Sequence, residues 1–422
     1  MPKVIIIGNG IAGDTAAFTL KALSPDFEVN VISEEEYPLY SPCLFPFFLS
    51  GELEKDRLFL RKLDDYSKAG IDVLLGKKVE EINVKERKIK LSNGSWMSYD
   101  YLILATGSFP VVPPIPGADK DGIFTLKTFD DLMNFHQYKK KKVAIIGAGP
   151  IGVEVAVSLR LRGVEVALIE LLSRVLPRLL DNELSKFVED ILRNAGIEVF
   201  TSTRAKEIRG KERVECVITD KGEIPCDAIL MATGMRPRNE LAAKAGVAVG
   251  SRRGIKVDDQ MRTNIKNVYA CGDCIETRDI VTGSEKLSLL WNTAALQGYI
   301  AAANIAGQKK IYPGSLNSTV VKIMDYYVIT SGNTSDEFKD RPLRTYDESK
   351  TDEHLRLIFA DGTLKAVQYV GKKPYRPIGA LMALLRRGEF KESLEDMLRV
   401  QQRTFHVFKT GLAADQILSL IY

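Results

Sequence analysis

The stretch Val4-Ile5-Ile6-Ile7-Gly8-Asn9-Gly10-Ile11-Ala12-Gly13 decides the fold. Its apolar, β-branched start suits a strand buried on both faces of a parallel sheet. A helix rich in alanine and leucine is predicted to follow through Leu23, then a strand over 28–32 that ends close to Glu34, 21 residues after Gly13. Each part has physical work. Gly8 allows a tight turn, Gly10 lets backbone approach a pyrophosphate, and Gly13 lets helix and strand pack closely. The helix N-terminus offers unpaired N–H groups and a positive dipole end to phosphates, and Glu34 is placed to accept hydrogen bonds from a ribose. A glycine turn alone says little, but the full order of strand, turn, helix, strand and acid implies dinucleotide binding by Gly8, Gly10, Ile11, Ala12, Gly13 and Glu34.

The pattern recurs 139 residues later. Val143-Ala144-Ile145-Ile146 leads into Gly147-Ala148-Gly149-Pro150-Ile151-Gly152, a helix is predicted to about Arg162, and a strand over 164–169 ends at Glu170. Two mononucleotide-type folds imply two dinucleotides. A carboxylate at position 170 bonds a ribose 2′-hydroxyl and repels a 2′-phosphate, so a nicotinamide cofactor held in this unit would be NADH, with Arg174 keeping NADPH open as the alternative. Tyr101-Leu102-Ile103-Leu104-Ala105-Thr106-Gly107 lies between the units, and its copy Ala228-Ile229-Leu230-Met231-Ala232-Thr233-Gly234 follows the second. Val268-Tyr269-Ala270-Cys271-Gly272-Asp273 comes next. The uncharged stretch 287–308 contains Asn292, Thr293, Gln297, Gly298 and Asn304, and reads as a buried helix with Asn292 or Thr293 as its cap rather than as a membrane span.

This order of motifs resembles the pyridine nucleotide-disulfide oxidoreductase superfamily over about residues 1–310. The resemblance implies FAD in the first unit, a nicotinamide cofactor in the second, and a Gly272-Asp273 segment that returns to the flavin, with Asp273 at its ribityl or phosphate region. It adds Ala105, Thr106, Gly107 and Gly234 to the cofactor-binding positions. It places Glu154 near nicotinamide and flavin, although a first-turn acid there also suits the helix dipole. It aims the helix start at Asn292 and Thr293 toward the flavin's pyrimidine edge, where it would stabilise negative charge.

Cys43, nine residues after Glu34, lies in Tyr40-Ser41-Pro42-Cys43-Leu44-Phe45-Pro46-Phe47-Phe48-Leu49-Ser50-Gly51-Glu52. This segment resembles a narrower branch: coenzyme A disulfide reductases, persulfide or polysulfide reductases, and NADH oxidases or peroxidases with one active cysteine. Relatives with two cysteines place the second five positions on, where this chain has Phe48. Chemistry at Cys43 then passes through a mixed disulfide, a persulfide or a sulfenic acid. A thiolate near oxidised flavin and a helix start would have a lowered pKa, whereas the apolar neighbours also suit a packing cysteine. Of the other cysteines, Cys271 and Cys274 have redox-dyad spacing but fall on the flavin-returning turn. Cys216 and Cys226 flank the turn Asp220-Lys221-Gly222, as two packing thiols or as a cross-strand disulfide. No His/Cys cluster has metal-ligand spacing, so no metal is expected.

The expected fold is α/β: two Rossmann-like dinucleotide-binding domains plus a C-terminal α+β interface domain. The domains divide as 1–113 (FAD, first part), 114–244 (NAD(P)H), 245–311 (FAD, second part) and 312–422 (interface, implying a homodimer). That last part shows short alternating strands at 318–324, 326–329, 355–359 and 364–369, with helices around 379–387 and from Leu394 onward. It lacks the His-to-acid pair of two-cysteine reductases, since His406 has Gly411 five places on; Tyr326, Tyr327, Tyr369 and Tyr375 are the remaining proton donors, each better suited to core or interface. With 59 basic and 55 acidic residues the charge balance gives no nucleic-acid footprint, and the run Lys139–Lys142 reads as a solvated linker. Neither a signal peptide nor a membrane span is read, which points to the cytoplasm. An FAD-dependent enzyme carrying electrons from NADH through flavin and Cys43 is therefore expected. Its acceptor is a small disulfide such as coenzyme A disulfide, sulfane sulfur, oxygen or peroxide, or a redox protein such as rubredoxin or ferredoxin.

Overall fold

A computed structural model describes residues 1–373 and 378–388. The helix expected from Leu394 onward, His406 and Tyr375 lie outside the described residues. The chain forms two compact units, one of residues 1–44, 54–109 and 235–315, the other of 45–53, 110–234 and 316–422. The stretches expected as nicotinamide and interface domains thus share a unit, joined by the short segment that follows Cys43.

The first unit is built on a five-stranded parallel sheet in the order Val268–Ala270, Tyr101–Leu104, Lys3–Ile7, Glu28–Ile32, Ile71–Leu74. Val4, Ile5 and Ile6 have no exposed surface, as expected for a central strand. The helix Ile11–Leu23 follows the first strand and turns Ala12, Ala16, Ala17 and Leu20 inward. A second helix, Trp291–Ile305, packs against it. The approach is close because position 298 is glycine: a Cβ there would stand 2.1 Å from the Ala12 carbonyl oxygen.

The second unit repeats the plan. Its parallel sheet runs Glu198–Phe200, Glu165–Ile169, Lys142–Ile146, Ala228–Met231, Ile123–Phe124, and the helix Pro150–Leu161 follows the central strand with proline in its first turn, where its missing N–H costs nothing. The same unit holds an antiparallel sheet in the order Ser318–Ile323, Tyr326–Gly332, Thr363–Gly371, Glu353–Ala360, Leu343–Lys350. Its turn at Asp361 and Gly362 is where the sequence puts it. The edge strand Leu343–Lys350 is unforeseen: its side chains are almost all exposed, so no apolar alternation marks it. The helix Ile378–Arg387 covers part of this sheet. No helix among the described residues is long and apolar enough to cross a membrane.

Candidate functional site

The two glycine loops have the same construction. Gly8 N–H donates to the Ile32 carbonyl and Gly147 N–H to that of Ile169, each at 2.8 Å. Both glycines have positive φ, and a Cβ would run into the carbonyl oxygen of Ala105 at 2.1 Å or of Ala232 at 2.3 Å. Gly13 and Gly152 are equally pinned, since a Cβ on either would come within 2.0 Å of the carbonyl oxygen of Gly8 or Gly147. Gly10 and Gly149 differ: nothing lies within 4 Å of their absent Cβ atoms. They stand at the helix caps without a side-chain capping bond, so the first-turn N–H groups have no side-chain cap beside that open space. Ile11 and Ala12, like Pro150 and exposed Ile151, form the first helical residues beyond these caps. Both loops therefore fit a dinucleotide pyrophosphate.

The acids after the two second strands are not equivalent. Ser33 N–H donates to Leu74 O and Glu170 N–H to Phe200 O, so Ser33 is the register counterpart of Glu170 and Glu34 stands one place further. Glu34 is exposed and pairs with Lys78 at 3.1 Å and Arg238 at 3.5 Å. Glu170 is buried, accepting from Ala148 N–H at 2.7 Å and Leu172 N–H at 2.8 Å. Arg174, the residue that would admit a 2′-phosphate, is already engaged with Leu180 O, Asn182, Pro177 O and Asp336.

Around the first loop, Asp14 is buried with Tyr66 at 2.9 Å and Arg61 at 3.3 Å; its burial nevertheless raises its carboxyl above the usual range. Thr106 anchors to Arg238 O and Thr233 to Val111 O, leaving Gly107 and Gly234 open on their Cβ sides. The Asp273 carboxylate accepts from Ser108 at 2.8 Å, a partner that no motif announces. The helix Trp291–Ile305 starts with Leu290 at its cap and no capping side chain; Asn292, already inside it, bonds the neighbouring Thr293 N–H. Neither Asn292 nor Thr293 is the cap, because the helix already begins at Trp291, and its first N–H groups stay unclaimed by a side-chain cap.

Glu154 is not the solvent-facing acid that its place in the first helical turns allowed. It lines a pocket of about 230 Å³ in the second unit with Phe47, Ser158 and Lys322. Burial pushes its carboxyl up to about 8, although the Lys322 backbone N–H favours the ionised form. Cys43 sits on the short 3₁₀ turn Pro42–Leu44 and is exposed, while Cys216, Cys226, Cys271 and Cys274 are buried. Burial raises all four of those thiols, Cys216 to about 11 and Cys226 to about 12. Cys216 and Cys226 are reduced, with Cys216 in register with Pro225. Among the tyrosines, Tyr369 is core and bonds Lys373 O, and Tyr326 bonds Asp352.

Two glycine loops, each at the end of a parallel-sheet strand and each fit for a dinucleotide, define a flavin- and nicotinamide-binding class of oxidoreductase. The family model described as pyridine nucleotide-disulphide oxidoreductase matches residues 2–308, and the chain belongs to that family. It is an FAD-dependent NAD(P)H oxidoreductase. It is similar to the NADH oxidase of Methanocaldococcus jannaschii, 39% identical over 87% of both chains. It is also similar to the CoA-dependent NAD(P)H sulfur oxidoreductase of Pyrococcus furiosus, 36% identical over 79% of this chain and 77% of that one. Among solved structures, the NAD-dependent persulfide reductase of A. fulgidus matches with TM-score 0.88 and 30% identity, over 92% of this chain and 77% of that one.

Proposed function

We propose that this protein is an NADH-dependent reductase of disulfide or sulfane-sulfur bonds that works through Cys43 alone. The carrying observation is the contrast among its five thiols: Cys43 is exposed, and the other four are buried with raised pKa values. Phe48 stands where a resolving partner would be, so the substrate itself supplies the second sulfur. The names of the Pyrococcus furiosus and A. fulgidus relatives support a sulfur acceptor.

Bound FAD and NADH supply the two electrons. The residues supply the rest. Gly8, Gly10 and Gly13 with the start of their helix hold one pyrophosphate, and Gly147, Gly149 and Gly152 hold the other, with Glu170 on the nicotinamide cofactor's ribose. The Cys43 thiolate attacks a substrate disulfide, forming a mixed disulfide and expelling one thiolate. Two electrons and a proton then return Cys43 to the thiolate and release the second product as a thiol. Glu154, mostly protonated near neutral pH, adds no charge of its own to a pocket that Glu52, Lys322 and Asp325 also line. The working form is a cytoplasmic homodimer.

An NADH oxidase reading rests on the Methanocaldococcus jannaschii relative. Anaerobic NADH consumption with coenzyme A disulfide, polysulfide, peroxide and rubredoxin in turn, with an aerobic control, tests both. Sulfur-bond reduction that disappears in Cys43→Ser with FAD still bound is expected. Activity with oxygen or peroxide alone favours the oxidase, and undiminished sulfur reduction by Cys43→Ser overturns the role of Cys43.

A further inference from the structure

We infer that Gln297 is a positioning residue for the flavin-facing turn at Gly272 and Asp273. The inference rests on the reading that this turn holds FAD. Gln297 lies on the helix Trp291–Ile305 and is 1% exposed. Its Oε1 accepts the Gly272 backbone N–H at 2.8 Å, and its Nε2 donates to the Tyr312 hydroxyl at 3.2 Å. Tyr312 meets Ser315 at 2.8 Å, and Ser315 meets Thr277 at 2.8 Å. The amide thus ties the turn to a buried chain of hydroxyls.

The turn's own backbone bonds, Cys271 N–H to Leu104 O at 3.0 Å and Ile275 N–H to Gly272 O at 3.1 Å, leave the Gly272 N–H itself to Gln297. Gly272 has φ +82°, a conformation that favours glycine, and a Cβ there would stand 2.9 Å from Ala12 Cβ in the helix of the first glycine loop. The next residue of the late helix, Gly298, presses on the Ala12 carbonyl. One helix therefore fixes both sides of the first unit's site: Gly298 sets its distance from the glycine-loop helix, and Gln297 sets the height of the Gly272 turn between them. Ser108 bonds the Asp273 side chain and the Cys274 thiol bonds the Cys271 carbonyl, whereas Gln297 holds the backbone N–H of Gly272. A leucine at 297 removes both bonds and leaves the Gly272 N–H buried and unpaired; a glutamate keeps the acceptor.

The test titrates FAD into apoprotein by flavin fluorescence and records the visible spectrum of bound flavin, for wild type, Gln297→Leu, Gln297→Glu, Tyr312→Phe and Asp273→Ala. Gln297→Leu is expected to bind FAD about tenfold more weakly, one buried hydrogen bond's worth, with a shifted spectrum. Gln297→Glu and Tyr312→Phe, which keep the acceptor for Gly272, stay within about threefold of wild type. If Gln297→Leu does not yield folded apoprotein, the Gln297→Glu and Gln297→Met pair replaces it, and equal affinity and spectra for the two overturn the proposal. Wild-type affinity and spectrum in Gln297→Leu overturn it too. Asp273→Ala separates the two levels: if it binds FAD normally, the flavin reading of the turn fails, and if it alone is weakened, only the role of Gln297 fails.

Discussion

Glu170 Oε2 lies 2.7 Å from the backbone nitrogen of Ala148, so the acid at the end of one strand braces the glycine loop at the end of its neighbour. Its other oxygen takes Leu172 N–H. A carboxylate has lone pairs to spare beyond these two bonds, so bracing the loop and accepting a ribose hydroxyl are compatible. Glu170→Ala strips a partner from two N–H groups at once. The expected outcome is a loss of about 1–3 kcal/mol in urea unfolding together with at least a tenfold rise in KM for NADH. The ratio of kcat/KM for NADPH to that for NADH rises in the same variant. Arg174→Ala leaves that ratio unchanged, since its N–H groups serve Leu180 O, Pro177 O, Asn182 and Asp336. A shift of preference in Arg174→Ala would show that the guanidinium reaches the cofactor after all.

Residues whose job is local were legible in the sequence. The glycines declare their backbone needs at fixed spacing, and buried strands such as Lys142–Ile146 are apolar throughout because both faces are covered. What stayed hidden depends on distant partners. Ser108 and Asp273 are 165 residues apart, and Gln297 and Gly272 are 25 apart; polar pairs of this kind leave no periodicity. The edge strand Leu343–Lys350 joins its sheet by backbone alone, so its sequence carries no stripe. The cap at Leu290 has no capping side chain, whereas Asn292 and Thr293 are good capping residues that stand two and three positions after it.

Glu154 makes stability fall as pH rises. Its folded pKa is raised from 4.5 to about 8, so between these values the folded chain holds a proton that the unfolded chain has released. Below about pH 4.5 the group adds no pH dependence, and through the window up to about pH 8 it progressively favours unfolding. Glu154→Gln is therefore expected to melt a few degrees higher than wild type at pH 8 and at nearly the same temperature at pH 5. Differential scanning calorimetry on the apoprotein reads both. Parallel melting curves for the two proteins across this range would mean that the carboxyl is not desolvated.

Arg356 gathers three carboxylates in the second unit, of which Asp181 is buried. It pairs with Asp347 at 2.6 Å and Asp181 at 3.5 Å and also bonds Glu183, with its side chain only 9% exposed. Asp181 is buried too, so Arg356→Ala leaves its carboxylate with Ser335 N–H and Gln368 but no cation. Removing one partner of a buried ion pair costs about 3–5 kcal/mol. The urea midpoint should drop accordingly in Arg356→Ala, and much less in Lys339→Ala, whose pairing with Asp336 is exposed. Similar losses in both variants would contradict the burial argument.

Gly10 and Gly13 separate binding from folding within one loop. A Cβ on Gly13 would meet the Gly8 carbonyl oxygen at 2.0 Å and Ile6 at 3.3 Å; the first is backbone of the glycine loop and the second belongs to the buried central strand, so backbone must move. Gly13→Ala is expected to destabilise the apoprotein by about 1–3 kcal/mol or more. Gly10 has φ −74° and ψ −179°, extended backbone that any residue adopts, and faces open space. Gly10→Ala should therefore leave apoprotein stability within about 0.5 kcal/mol of wild type. The added methyl instead occupies space that a pyrophosphate needs, so FAD affinity in fluorescence titration should fall at least tenfold. The same contrast holds for Gly149→Ala against Gly152→Ala, with NADH in place of FAD. Undiminished FAD binding by folded Gly10→Ala would place the pyrophosphate elsewhere than on this helix start.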